Sequence, residues 1–275
     1  MKIEIPRDDL LGALSLVGGL VERRQTLPIL ANVLLQTEGT ELRLATTDLE
    51  LGISTRIRAG EVVEDGAVTV PARKLMDLCR SLPEGSRVSF RTERDRCFVS
   101  CGRTRFTLST LPAADFPSIG AEEGMQVLQL RSGEVKRLFN KTAFAMAQQD
   151  VRYYLNGVLL EFAEGAVVAV ATDGHRLARF SVDVAEPIQT EGTQMILPAK
   201  AVTEMRRLLA DGDVPLEFGW GERSVVVAFD QTVVTSKLVD GKYPEYQRVI
   251  PKGLPRRAVL DKESLRTALL RASIL

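Results

Sequence analysis

A long internal duplication organises this sequence. Residues 33–48 (VLLQTEGTELRLATTD) align without gaps on residues 158–173 (VLLEFAEGAVVAVATD), at an offset of 125 residues. Later landmarks return in the same order, so that PAR at 71–73 reappears as PAK at 198–200. Short solenoid repeats have periods of about 20–50 residues, so a period this long indicates the duplication of a whole domain.

Each repeat predicts the order strand, helix, strands, helix, strands. In the first repeat, Leu10, Leu14 and Val17 share one face of a helix that follows Pro6 and ends at Gly18. The other predicted elements are strands at 29–37, 41–47, 49–58, 68–70, 86–92, 95–101 and 103–109, a helix at 71–82 and, in the second repeat, a helix at 132–147. Hairpin-length gaps and the lack of a GxGxxG motif predict an α+β fold with antiparallel sheets rather than a Rossmann fold.

A third copy begins near the end of the sequence. Residues 258–275 (AVLDKESLRTALLRASIL) repeat the strand-then-helix opening, with Leu265, Leu269 and Ala272 in the places of Leu10, Leu14 and Val17. We therefore expect domains at 1–121 and 126–252 and the start of an incomplete domain at 256–275. A lone helix has no sheet to pack on, so the sequence predicts a chain truncated from a longer protein.

Composition excludes several classes of protein. Lys and Arg together number 36, as do Asp and Glu, so the net charge is zero and any affinity for nucleic acid must come from charge on one face. The three cysteines contain no CxxC pair, which favours buried thiols in a reducing cytosol over a zinc site. Neither a signal peptide nor a membrane span is indicated. We expect a cytoplasmic protein with no metal and no cofactor.

Three predicted helices carry basic stripes opposite their apolar faces. The stripes contain Arg73 and Arg80, then Lys136, Arg137 and Lys141, and then Lys200, Arg206 and Arg207. A solvated helix face explains any one of them, whereas their recurrence favours a surface that faces phosphate. Few side chains on these stripes could recognise base edges, so any binding to nucleic acid should be independent of sequence.

One polar cluster could be either catalytic or a docking surface. The cluster 172–176 (TDGHR) contains His175, the only histidine of the chain. Asp48, Asp173 and His175 could form a metal-assisted hydrolase site. Alternatively, the two aspartates end equivalent strands and accept hydrogen bonds from turn amides. In the first repeat Leu49 and Glu50 stand in place of Gly174 and His175, so the duplication favours the turn.

Six long stretches carry a resemblance to a known family. They are TLPILANVLL (26–35), VPARKLMDLCRSLPEG (70–85), RFTLSTLPAADFP (105–117), QDVRYYLNGVLLE (149–161), ATDGHRLA (171–178) and TSKLVDGKYPEYQRVIP (235–251). With these motifs the sequence resembles the β subunit of bacterial DNA polymerase III, the sliding clamp. The resemblance implies tandem clamp-type domains, each with antiparallel sheets and two helices. It also implies a homodimeric ring, with the helices lining its inner face around duplex DNA.

The resemblance also implies a role for particular residues. Those expected to contact DNA are Arg24, Arg73, Gln149, Tyr153, Tyr154 and Lys200, and Ala199 stands where a second basic residue is expected. A pocket for partner peptides is expected from Leu155, Thr172, Gly174, His175, Arg176, Leu177, Pro244, Arg248 and Val249. The subunit interface is expected at Phe106, Ile274 and Leu275.

The implied function is that of a processivity factor without catalytic activity. Its expected partners are duplex DNA, the polymerase catalytic subunit, the clamp loader and repair polymerases. Two alternatives stay open at this point, namely the metal-dependent hydrolase and a peptide-binding module with no role on DNA. His175 could be a structural turn residue rather than a contact to a ligand, and Phe106 could belong to the core of its domain.

Overall fold

The computed structural model describes residues 1–21, 27–117, 120, 122–163, 165–184 and 192–274. The described chain packs as two units, Met1–Gly241 and Lys242–Leu275. The first unit contains the first repeat and residues 126–241 of the second, and the second unit contains residues 242–252 of the predicted second domain and the segment of the predicted third copy. No described helix has the length and apolar character required to span a membrane.

The first repeat has the predicted order of elements. Its strands and helices are β1 Lys2–Pro6, α1 Arg7–Val17, β2 Asn32–Glu38, β3 Glu41–Thr47, β4 Leu51–Arg58, β5 Glu61–Glu64, β6 Ala67–Pro71, α2 Ala72–Ser81, β7 Arg87–Glu93, β8 Arg96–Cys101 and β9 Thr104–Ser109. Helix α1 buries Leu10, Leu14 and Val17 as predicted, and Asp8 and Asp9 occupy its first turn, where the helix dipole favours acids.

The second repeat follows the same plan. Its elements are β10 Gln126–Arg131, α3 Ser132–Thr142, β11 Gly157–Ala163, β12 Ala166–Thr172, β13 Leu177–Asp183, β14 Gln194–Pro198, α4 Ala199–Leu208, β15 Pro215–Trp220, β16 Ser224–Phe229 and β17 Thr232–Lys237. Helix α3 buries Val135, Leu138 and Phe139, which are the apolar positions of the predicted stripe. Trp220 stacks on Phe162 at 4.3 Å between ring centroids inside this repeat.

One sheet continues from the first repeat into the second. Its eight strands have the order β10-β15-β16-β17-β4-β3-β2-β6, so β17 of the second repeat pairs with β4 of the first. The other two sheets have the orders β5-β1-β7-β8-β9 and β13-β12-β11-β14, and every described strand pair is antiparallel. The α+β prediction is therefore confirmed, with the two repeats joined through their backbones.

Some predicted bounds were wrong. The strand predicted at 29–37 begins at Asn32, because Pro28–Ala31 forms a 3-10 turn that proline initiates well. The helix predicted at 132–147 ends at Thr142 and is followed by the 3-10 turn Ala143–Ala145. Strand β5, at the edge of its sheet, was not predicted.

In the second unit the predicted strand before the last helix is absent, since residues 251–260 have neither helix nor strand. Helix α5 Lys262–Ala272 begins after Asp261, whose carboxylate accepts a hydrogen bond from the Ser264 amide at 2.8 Å. Every described residue of α5 is exposed. A 3-10 turn at Tyr246–Arg248 precedes it in the chain, with Tyr243 and Tyr246 buried.

Candidate nucleic-acid and peptide-binding sites

The cluster that contains His175 is a turn that the first repeat builds in the same way. The Thr172 hydroxyl donates to the Arg176 carbonyl at 2.7 Å, and the Asp173 carboxylate accepts from the His175 and Arg176 amides at 2.9 and 3.0 Å. In the first repeat, the Thr47 hydroxyl donates to the Leu51 carbonyl, and Asp48 accepts from the Glu50 and Leu51 amides at 3.0 and 2.7 Å. The conformation has recurred although only the threonine and the aspartate are shared, and the last three residues of each turn differ.

Both turns contain one residue in the left-handed region. Leu49 has φ of 79° and the matching Gly174 has φ of 91°. Glycine reaches this region without steric cost, whereas leucine does not. Glycine therefore adopts this backbone without strain in the second turn, on which His175 and Arg176 are exposed.

The two turn aspartates are ionised and accept hydrogen bonds from backbone amides. The amides of His175 and Arg176 hold the pKa of Asp173 below its usual range, more than offsetting its desolvation. Burial alone would raise the pKa of Asp48. Hydrogen bonds from Lys200 and from the Leu51 and Glu50 amides outweigh that effect, so the pKa lies below its usual value. Among the described residues, no three His, Cys, Asp or Glu side chains come together in a group that could hold a metal ion.

A second network fixes the loop that carries the two tyrosines. Arg152 pairs with Asp150 through two hydrogen bonds of 3.0 and 2.8 Å and donates to the Asp173 carbonyl at 3.3 Å. The Arg152 side chain holds the pKa of Asp150 at about 2. The 3-10 turn Tyr153–Leu155 follows, with Tyr153 exposed and Tyr154 half-buried in edge-to-face contact at 5.9 Å. Arg152 thus links the tyrosine loop to the His175 turn.

Several basic side chains of the predicted stripes have partners within the protein. Arg73 is exposed, and its guanidinium donates to the Val21 carbonyl at 2.7 and 3.2 Å. Lys200 pairs with Asp48 of the first repeat, with Nζ and Oδ2 at 2.6 Å. Arg207 donates to the Ser15 and Leu16 carbonyls in the last turn of α1, at 3.1 and 2.7 Å. Helix α4 therefore uses two cations to contact the first repeat.

Gln149 and Arg24 are the remaining basic or polar members of the expected DNA-contacting set. Gln149 is exposed and has a left-handed backbone, with φ of 57°. Arg24 lies outside the described residues.

Residues of the expected peptide pocket belong to both units. In the first unit, Leu177 and Thr172 are half-buried, whereas Leu155 is only 2% exposed and belongs to the core. In the second unit, Pro244 and Val249 are exposed, and Arg248 pairs with Glu245. Each unit therefore presents an exposed cation close in sequence to apolar side chains.

Phe106 lies on an edge strand. Strand β9 ends its five-stranded sheet, and 37% of the Phe106 surface is exposed. Phe106 pairs with Val99 of β8 in the way that Val234 of β17 pairs with Val227 of β16, and Val234 is fully buried. In the second repeat, β4 pairs with the strand that carries the matching residue Val234. In the first repeat, no described strand pairs with β9 on that side, and Phe106 stays partly exposed. Ile274 is exposed, and Leu275 lies outside the described residues.

Family models and similar proteins assign the chain to the same family. A model of the N-terminal domain of the DNA polymerase III β subunit matches residues 1–120, and one of its central domain matches residues 129–245. The β sliding clamps of Pseudomonas aeruginosa and Escherichia coli are 47% and 43% identical to the chain over 275 residues, which is all of this chain and 75% of each relative. This chain belongs to the β sliding clamp family.

Solved structures of clamps agree with that assignment. The P. aeruginosa clamp bound to griselimycin superposes with a TM-score of 0.96 at 47% identity, covering 100% of this chain and 74% of that one. The Caulobacter crescentus clamp gives 0.90 at 36% identity, covering 100% and 75%. As a sliding clamp, the chain is a non-catalytic accessory subunit of DNA polymerase III, and the hydrolase alternative is not supported.

Sequence reasoning missed Arg152 of this clamp and gave Arg207 a different role from the one that its contacts indicate. Arg152 positions the tyrosine loop, and the Asp150-x-Arg152 spacing was a local signal for that pair. Arg207 was interpreted as part of a stripe facing phosphate, but its hydrogen bonds to α1 place it at the junction between the two clamp domains. No local pattern indicates a contact between residues so far apart in the chain.

Proposed function

We propose that this clamp encircles duplex DNA as a ring of two copies and tethers the replicative polymerase and other proteins to it. The observation that carries this proposal is the match of the whole chain to clamp structures, with both clamp domains in place. Topological closure would supply persistence on DNA, and tethering would keep the polymerase at a high effective concentration near its template.

In this proposal the contacts to DNA are few and directed at phosphates. The residues that we assign to this role are Arg24, Arg73, Gln149, Tyr153, Tyr154 and Lys200. The exposure of Gln149 and Tyr153 supports the assignment, as does the rigid support that Arg152 provides to the tyrosine loop. Phosphate contacts carry no sequence information and need only centre the duplex. A zero net charge is compatible with such a weak and salt-sensitive grip.

Partner proteins are proposed to dock through a short extended peptide. The residues that we assign to this role are Leu155, Thr172, Gly174, His175, Arg176, Leu177, Pro244, Arg248 and Val249. Apolar side chains edged by cations suit a peptide with one or two Leu or Phe anchors. The polymerase catalytic subunit, the clamp loader and repair polymerases would then compete for one site. Leu155 would support this pocket from the core rather than line it.

Retention on DNA of different topology tests the ring. The full-length product of the reading frame that encodes this sequence is loaded onto nicked circular DNA by its clamp loader. After a wash in high salt, we expect it to stay on the circle and to be released when the circle is cut. Loss from the intact circle under the same wash would contradict encirclement. Binding of an anchor peptide without any retention would instead favour a peptide-binding module with no role on DNA.

A further inference from the structure

The turns Thr47–Leu51 and Thr172–Arg176 differ in where their aspartate finds a cation. In the second clamp domain, the Asp173 Oδ2 atom accepts from Arg176 Nε of the same turn at 3.0 Å. In the first domain the residue matching Arg176 is Leu51, which carries no charge. The cation at Asp48 comes instead from Lys200, the second residue of α4 in the neighbouring domain.

The Asp48–Lys200 pair is asymmetric in its freedom to move. Asp48 is held by two amide hydrogen bonds to Oδ1, and its side chain is only 11% exposed. The Lys200 side chain is 39% exposed and ends in an ammonium on a flexible stem. Lys200 also lies at a helix N-terminus, where the dipole disfavours a cation and a nearby carboxylate is favourable. Asp48 is therefore a fixed anion, and Lys200 can exchange it for another.

We propose that Asp48 is a built-in competitor for DNA phosphate at Lys200, through which the first clamp domain weakens the grip of the second on the duplex. The inference rests on the proposed function, because it takes Lys200 to contact DNA. A phosphate that engages Lys200 must replace a carboxylate already at 2.6 Å, so the contact releases little net free energy. A contact of this kind suits a protein that slides, because each phosphate can be released quickly.

Equilibrium binding to a short linear duplex of mixed sequence, titrated with salt, tests the proposal. Asp48→Asn keeps the oxygen that accepts the two amide hydrogen bonds and removes the negative charge that Asp48 presents to Lys200. We expect Asp48→Asn to bind DNA roughly three- to tenfold more tightly at about 50 mM salt, with a log–log salt slope steeper by about one. Lys200→Ala alone should weaken binding by less than about threefold, because Asp48 already neutralises that ammonium. The gain from Asp48→Asn should disappear in the double variant.

Glu50→Gln is the matched control. Glu50 lies in the same turn and pairs with Lys237 across the same domain junction at 3.1 Å, but Lys237 is not assigned to DNA contact. Its affinity should stay within about twofold of the unmodified protein. A gain from Asp48→Asn that persists without Lys200, or that Glu50→Gln reproduces, would reduce the effect to general charge and overturn the proposal.

The remaining outcomes separate this inference from the proposed function. If the unmodified protein binds in a salt-dependent way and Asp48→Asn matches it, only the role of Asp48 is wrong. If neither protein binds duplex DNA even at low salt, direct phosphate contact is wrong, and the inference is wrong with it. Should Asp48→Asn fail to fold, Lys200→Ala decides alone. A loss of about tenfold from Lys200→Ala would show that Asp48 does not restrain Lys200.

Discussion

Leu49 and Gly174 show how one turn conformation serves two purposes in this clamp. Both residues have a left-handed backbone, but only glycine adopts it without a steric penalty from a Cβ atom. In the first domain the leucine side chain is half-buried. In the second domain the glycine removes a side chain from the exposed turn beside His175.

At this scale we predict opposite effects of two glycine-to-alanine changes. Gly174→Ala places a Cβ atom in the left-handed region and should lower the free energy of unfolding by about 1–2 kcal/mol. Gly12→Ala is the control, because Gly12 lies in α1 with no neighbouring atom within 4 Å of where an alanine methyl group would sit, and alanine should raise helix stability by about 0.5–1 kcal/mol. Urea denaturation measures both. Equal effects of the same sign would contradict the role assigned to φ at residue 174.

At the scale of elements, the pairing of β17 with β4 joins the two domains and leaves their counterparts as edges. Strand β9 corresponds to β17, and β13 corresponds to β4. Within the described residues, β9 and β13 each end a sheet. An edge strand presents unpaired backbone groups that another chain can pair with. The duplication therefore implies that Phe106 lies on a surface suited to a further domain.

An aspartate at Phe106 or at the matching Val234 should have different effects, because β9 is an edge strand and β17 pairs with β4 at the domain junction. Phe106→Asp should leave the protein folded, because an edge position can turn a carboxylate to water, and it should weaken dimerisation of the full-length protein in sedimentation. Val234→Asp places an unpaired charge at a fully buried site and should cost several kcal/mol in urea denaturation. An intact dimer with Phe106→Asp would count against the proposed subunit interface.

Much of this architecture was predictable because the same order of strand and helix patterns occurs in both repeats. The bounds of β3 at Glu41–Thr47 matched the alternating pattern, and the buried faces of α1 and α3 followed from their apolar spacing. The joining of β17 to β4 was not predictable, since β9 and β17 have similar strand patterns and only one of them is covered. The Asp48–Lys200 and Arg73–Val21 contacts join residues far apart in sequence, which one-dimensional periodicity does not report. The domain boundaries and the site assignments stay predictions.

At the scale of the whole molecule, α5 differs from α1 and α3, the helices at the matching place in the two repeats. Those helices bury their apolar faces, whereas every described residue of α5 is exposed. Leu265 and Leu269 stand where Leu10 and Leu14 pack into the core of the first domain. Leu269 is 61% exposed, and Leu14 is 1% exposed. A helix of this length has little stability in water without tertiary packing. Leu269 of α5 thus contributes little buried apolar surface in this chain.

Alanine at these two matched leucines tests that account. Leu14→Ala removes a buried side chain and should lower the free energy of unfolding by about 2–5 kcal/mol. Leu269→Ala removes an exposed one and should change it by less than about 0.5 kcal/mol, because no cavity forms and no apolar surface is newly exposed. Urea denaturation of the 275-residue chain, followed by circular dichroism, measures both. A loss above about 1 kcal/mol from Leu269→Ala would mean that α5 is packed in solution, and its repeat of α1 would then extend from sequence to burial.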